Sequence, residues 1–188
     1  MLFSDIKDIK DCPWRWSRKS PSKEEIYHVI QYLEAKEIPR DTFLEFGAGI
    51  STWYFSQLGF TQYVCVEDYE SALIQVRKHL PNVKIVSKWV DIPVQKYRYV
   101  FVDSHVGGDA GKYDRYKTLE YALKNGLIMD DAIVIAHDHA PFPEGDLSYR
   151  NVTNGWYGVI NKYGWNLVKQ IPLRRSFAIY EKNMLITK

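Results

Sequence analysis

Three stretches of the chain hold residue types able to do chemistry at spacings that could bring them together. The first is Thr42–Glu67, TFLEFGAGISTWYFSQLGFTQYVCVE: Glu45 precedes Gly47-Ala48-Gly49, Ser51 and Thr52 follow the turn, and Glu67-Asp68 closes the segment. Glycines lack Cβ, so backbone in such a turn can approach a ligand closely. An acid 18 residues beyond Gly49 stands where nucleotide-binding βαβ units hydrogen-bond ribose hydroxyls. The second stretch is Asp103-Ser104-His105, followed by the loop Gly107-Gly108-Asp109-Ala110-Gly111, suited to wrapping over a substrate. The third is His137-Asp138-His139. Two imidazoles and a carboxylate in a row can remove a proton from an acceptor hydroxyl or hold a divalent cation.

These residues need elements to position them, and the sequence supplies an alternation of strands and helices. TFLEF and QYVCV read as short apolar strands with a helix from Ile50 through Leu58 between them. Upstream, Ser22 is a good helix N-cap, Glu24 and Glu25 suit the first turn, and Ile26, Val29, Ile30 and Leu33 form an apolar stripe that ends before Ile38-Pro39. Downstream come a helix over Tyr69–His79, a strand over 83–87, a strand YVFV ending at Asp103, a helix over Tyr113–Lys124 stopped by Asn125-Gly126, and a strand AIVIA with His137 following at its end. A short helix over Gly155–Tyr163 and two closing strands, WNLVKQI and SFAIYEKN turning at Leu173-Arg174-Arg175, complete the series. The expected fold class is α/β: a Rossmann-like doubly wound sheet of about seven strands, mostly parallel, with an antiparallel C-terminal hairpin strand. One domain over 1–188 is expected, with an arm at 1–21, a covering helix at 22–38 and a core at 42–182.

An acid on the first strand, then G-x-G, then an acid after the second strand resembles the first two motifs of class I S-adenosylmethionine-dependent methyltransferases. The resemblance spans about Ser22 to Lys182, rests on Glu45-Phe46-Gly47-Ala48-Gly49, Glu67 and Asp103, and departs at Ser51, where many members carry glycine. It implies that the turn passes under the amino-acid part of S-adenosyl-L-methionine and that Glu67 binds both ribose hydroxyls. The implied cofactor residues are Glu45, Gly47, Ala48, Gly49, Ser51, Thr52, Glu67, Asp68 and Asp103. Adenine would meet a residue after the third strand, where Asp91 and Trp89 are the candidates. A sulfonium cofactor carries no phosphate and welcomes acids, whereas a dinucleotide needs a helix N-terminus for its pyrophosphate. A looser similarity, to small methyltransferases acting on sugars or other hydroxylated metabolites, lies in the E-F-G-x-G-x-S-T turn and the V-D strand end. It suggests a small hydroxylated acceptor.

The acceptor chemistry is assigned to Asp103, His105, His137, Asp138 and His139, and three readings stay open. Asp103 and Asp138, with His139, could hold a divalent metal such as magnesium, which resembles metal-dependent catechol-type methyltransferases. His137 or His139 could be a general base. The groups could also satisfy one another and cap a loop. The H-D-H order departs from an acid–acid or acid–asparagine pair and favours the base over the metal. Tyr149, Arg150, Asn151 and Trp156, in the long loop at 141–157, are candidate acceptor contacts. Aminopropyl transfer, nucleotide-sugar chemistry and a noncatalytic cofactor-binding or partner-binding module are the alternatives the same fold allows.

Composition narrows the classes. Lys and Arg number 25 against 23 acids, a net charge of +2, so there is no strong electrostatic signal for nucleic acid. No apolar run reaches membrane-spanning length and the first residues lack a signal-peptide pattern, so a cytoplasmic protein is expected. Cys12 and Cys65 sit in no metal or redox spacing, and Cys65 is expected to be a buried thiol. Trp14 and Trp16, interleaved with Arg15, Arg18 and Lys19, could stack on an anionic or aromatic substrate, although packing on the body of the domain is the simpler reading. The sequence leaves the oligomeric state open.

Overall fold

The computed structural model describes residues 6–7, 9–13, 21–103, 115–137, 156–171 and 177–182. The chain divides into two compact units, Met1–Pro93 and Val94–Lys188. Its seven strands belong to one sheet in the order β3-β2-β1-β4-β5-β7-β6, the mostly parallel α/β architecture with an antiparallel C-terminal hairpin that the alternation of elements implies.

In the first unit, helix α1 covers Lys23–Ala35. Its start is a reciprocal capping box: the Glu25 amide donates to Ser22 Oγ (3.2 Å) and the Ser22 amide donates to Glu25 Oε2 (2.6 Å). Ile26, Val29, Ile30 and Leu33 are buried as one stripe, and α1 packs on α2. Strands β1 (Thr42–Phe46), β2 (Gln62–Val66) and β3 (Val83–Val86) run parallel, with Glu45 opposite Cys65. Helix α2 is short, Ile50–Phe55, and tightens into a 3-10 turn over Ser56–Leu58 before Gly59, whose φ of 75° is left-handed. The helix read through Leu58 therefore changes type in its last turn. Phe43 anchors this layer, with ring centroids 5.1 Å from Phe55, 4.6 Å from Phe60 and 4.8 Å from Tyr63. Helix α3 (Glu70–His79) follows β2, with Tyr69 as its N-cap.

In the second unit, β4 (Tyr97–Val102) and β5 (Ile128–His137) are parallel, and α4 (Arg115–Lys124) lies between them in sequence. Helical backbone over 156–162 precedes β6 (Trp165–Ile171) and β7 (Phe177–Lys182). β7 pairs antiparallel with both β5 and β6. β5 is longer at both ends than the apolar run AIVIA. At its start Ile128 pairs with Tyr97, and the exposed Asp130 and Asp131 find Lys182 and Arg98 as partners. At its end β7 extends the ladder, so His137 is a strand residue opposite Phe177 rather than the first residue beyond the strand. Among the described residues, no helix is long and apolar enough to cross a membrane.

Candidate functional site

The glycine turn of the first unit is held from two sides. Gly47 has φ 99°, a conformation that L side chains rarely adopt, so glycine is required there. Gly49 is different: its φ is −160°, and a Cβ built on it would meet only Ser51 Oγ, at 3.7 Å. Protein packing and backbone strain do not demand glycine at 49, which leaves close approach of a ligand as a reason for it. All three amides of the turn donate within the protein. The Gly47 amide bonds the Val66 carbonyl (2.9 Å), the Ala48 amide bonds Glu67 Oε2 (2.9 Å), and the Gly49 amide bonds Thr52 Oγ1 (2.9 Å). None of these three amides is left open to a phosphate.

Two carboxylates flank this turn. Glu67, half-buried just beyond β2, accepts from Ala48 through one oxygen and from the Tyr69 amide (2.8 Å) through the other. Burial raises its pKa against the lowering effect of those amide bonds. Glu45 is fully buried beneath the turn. Its Oε1 accepts from Ser51 Oγ and its Oε2 from the Tyr63 hydroxyl, both at 2.5 Å, and Thr52 and Cys65 also bond to it. Burial pushes the Glu45 carboxyl up to about 7, with these hydrogen bonds pulling the other way. The same burial, with the Glu45 charge beside them, holds the Tyr63 hydroxyl and the Cys65 thiol well above their ordinary values. Cys65 is thus the buried thiol expected from its strand position. Ser51 and Thr52 are buried as well and serve Glu45 and Gly49. Asp68 is exposed beside Glu67. Trp89 and Asp91 lie in a 3-10 turn after β3, with Trp89 edge-on to Phe46 (6.2 Å) and Asp91 exposed.

In the second unit, Asp103 and His137 do meet. Asp103 Oδ1 lies 2.7 Å from His137 Nδ1 and 2.9 Å from Arg115 Nη1. Arg115 Nη1 also donates to the His137 carbonyl (3.1 Å), so one guanidinium ties together the ends of β4 and β5. His137 is 1% exposed, and its ring lies 4.7 Å from Phe177 and 6.3 Å from Phe101, centroid to centroid. It is a core histidine that orients Asp103, with Asp103 the more exposed partner at 18%. His105, Asp138, His139, Tyr149, Arg150 and Asn151 lie outside the described residues, as do Trp14–Lys19, the loop at 107–111 and the turn at 173–175. Trp156 is buried and stacks on Tyr180 (6.5 Å), a core position rather than an open contact surface.

Sequence reasoning missed Arg115, Tyr63 and the support role of Cys65. Arg115 left one local signal, a cation near the start of a helix, where the dipole disfavours it unless a carboxylate is at hand. Tyr63 and Cys65 share a face of β2 by the two-residue period, but their contact with Glu45 needs the β1–β2 register.

No protein-family model and no curated protein matches the sequence. Solved structures do match it in fold. A structure described as a caffeoyl-CoA O-methyltransferase from Staphylococcus aureus aligns with a TM-score of 0.59 at 16% identity, covering 84% of this chain and 91% of that one. The ribosomal protein L11 methylase from Lactobacillus delbrueckii subsp. bulgaricus aligns at 0.59 and 9% identity, covering 87% and 80%. Fibrillarin from Aeropyrum pernix, with natively bound S-adenosyl-L-methionine, aligns at 0.57 and 13% identity, covering 77% and 69%. The fold is that of class I S-adenosylmethionine-dependent methyltransferases.

Proposed function

We propose that this chain is an S-adenosylmethionine-dependent methyltransferase acting on a small hydroxylated or sugar-like acceptor. The observation that carries the cofactor is the closed amide pattern of Gly47, Ala48 and Gly49 between two carboxylates. A turn with no open amides and acids on both sides suits a phosphate-free cation better than a pyrophosphate. In this reading Gly49 admits the cofactor closely, Glu67 accepts from its ribose hydroxyls, and Glu45 with Ser51 and Thr52 fixes the turn. The bound cofactor supplies an electrophilic methyl for in-line displacement. The protein's contribution is alignment and exclusion of water.

Asp103, held by Arg115 and His137, is the group proposed to face the acceptor and accept its hydroxyl hydrogen bond. His105, Asp138 and His139 remain candidates for proton removal. A divalent metal fits the described donors less well: Asp103 Oδ1 already serves a guanidinium and an imidazole, and no cluster of three metal-ligating side chains occurs among the described residues. The small hydroxylated acceptor rests on the E-F-G-x-G-x-S-T similarity.

Calorimetric titration of S-adenosylmethionine and S-adenosylhomocysteine into the wild type and Glu67→Ala, with and without magnesium, tests the cofactor. Saturable binding that the substitution abolishes is the expected result. Absence of binding to the wild type in both conditions would redirect the search to nucleotides and nucleotide-sugars. A panel of hydroxylated small molecules assayed for S-adenosylhomocysteine release then tests the acceptor. The engagement of Asp103 by Arg115 and His137 also favours a second reading, a noncatalytic cofactor-binding module, which would bind the cofactor yet release no product with any acceptor.

A further inference from the structure

We infer that the outermost layer of the first unit, α3 with β3 and the turn that follows it, is a docking surface for a bilayer carrying anionic lipid. β3 is the terminal strand of the sheet, and α3 packs on it. Among the described residues of Met1–Pro93 the exposed large apolar side chains are Tyr69 (68%), Ile74 (50%) and Val90 (81%), and all of them lie on this layer. The exposed cations Arg77, Lys78, Lys84 and Lys88 lie on it too, with no acid in the chain between Glu70 and Asp91. None of these cations makes an ion pair with another described residue. Arg40, Arg98, Lys124, Lys162 and Lys182, by contrast, each have a carboxylate partner.

Ordinary roles cover part of this set. Arg77 and Lys78 stand in the last turn of α3, where cations complement the helix dipole. Lys84 on a terminal strand guards against pairing with another strand. Neither role accounts for Lys88 or for the apolar side chains left in water beside the cations. On α3, Ile74 shares a face with Arg77 and Lys78, three and four residues on. Lys88 and Val90 sit on one 3-10 turn at the end of β3. That turn is closed by the Asp91 amide on the Lys88 carbonyl (3.1 Å) and the Ile92 amide on the Trp89 carbonyl (3.0 Å). Apolar tips among basic side chains suit the interface of an anionic membrane, where the tips enter the acyl boundary and the cations stay with the headgroups. Charge of one sign disfavours a second copy of the same face, and Lys84 disfavours an added strand. A nucleic acid would use the cations but needs aromatic platforms for its bases. Tyr69 is the single exposed ring of the layer, Ile74 and Val90 are aliphatic, and Trp89 is engaged edge-on with Phe46.

The inference is independent of the cofactor, so the test uses the full chain alone. Flotation is measured with vesicles of phosphatidylcholine, pure or with about one-third phosphatidylserine, in about 0.1 M salt. The chain should float with the anionic vesicles and not with the neutral ones, and about 1 M salt should release most of it. Lys84→Gln with Lys88→Gln should weaken binding roughly twenty- to thirty-fold, about five-fold per cation. Arg77→Gln with Lys78→Gln should do the same from the other end of the layer, which keeps the charge test open if the first pair disturbs the turn. Ile74→Ser with Val90→Ser, which leaves the charge unchanged, should weaken binding several-fold. Thermal melts of each variant check that the fold is kept. Equal flotation with both kinds of vesicle, or with neither, overturns the inference. So does wild-type binding by the apolar double variant or by a folded cation variant. Displacement from anionic vesicles by a short single-stranded RNA at stoichiometric amounts also overturns it, and makes nucleic acid the occupant.

Discussion

A carboxylate with no contact to water carries a cost that its hydrogen bonds only partly offset, and Glu45 shows both sides. Its carboxyl is raised from 4.5 to about 7, so the folded chain binds this proton more tightly than the unfolded chain does. Stability from this group is therefore present below about pH 4.5 and lost as pH rises toward 7. Glu67, also raised, adds in the same direction. Glu45→Gln should remove most of that slope; urea unfolding midpoints across pH measure this. The two glycines of the turn separate fold from ligand. Gly47→Ala should cost about 1–2 kcal/mol because its left-handed backbone strains any Cβ. Gly49→Ala should leave stability within about 0.5 kcal/mol, because the added methyl meets only an ordinary contact, yet weaken cofactor affinity. Unchanged affinity in Gly49→Ala would argue that no ligand packs over this position.

At the scale of elements, the turn depends on the parallel pairing of β1 with β2. That register sets Glu45 beside Cys65 and lets Glu67, one residue past β2, reach back to Ala48. In the second unit the joining piece is α4, whose Arg115 reaches both Asp103 and the carbonyl of His137. Arg115→Met should cost roughly 2 kcal/mol, since it leaves a half-buried carboxylate and a backbone carbonyl short of a charged donor. Arg115→Lys should recover only part of this, because an ammonium lacks the planar fork. Chemical denaturation of the three proteins decides the matter, and equal stability of wild type and Arg115→Met would show that the pair is solvated rather than structural. His137 was legible as a polar residue at a strand end but not as a core residue. Its burial comes from β7, whose Phe177 lies far along the chain and covers the imidazole.

For the whole molecule, the fold matches that of methyltransferases at identities of 9–16%, a range in which architecture persists while acceptors differ. A ligand that binds only the folded chain must stabilise it. S-adenosylmethionine at about 100 times its dissociation constant should add about 2.7 kcal/mol and raise the melting temperature by several degrees. Thermal scans with and without the cofactor check this, and the gain should disappear in Glu67→Ala. An unshifted melting temperature at saturating cofactor would count against binding to the native state.

The sequence by itself determined the order and type of the elements, because helix and strand periods, the Ser22 cap and the glycine stops are local signals that need no partner. It also marked Glu45, the turn, Glu67 and Asp103, since each sits within a few residues of the strand whose end carries it. Only the tertiary structure decided what these groups touch. Whether Glu45 faces a ligand or lies sealed under Ser51 and Tyr63, and whether His137 is an open base or a clamp on Asp103, depends on residues brought in by strand register and by elements distant in sequence. Proton affinity follows from that burial: the Glu45 carboxyl, ordinary in the sequence, is held near neutral pH by its place between β1, β2 and α2.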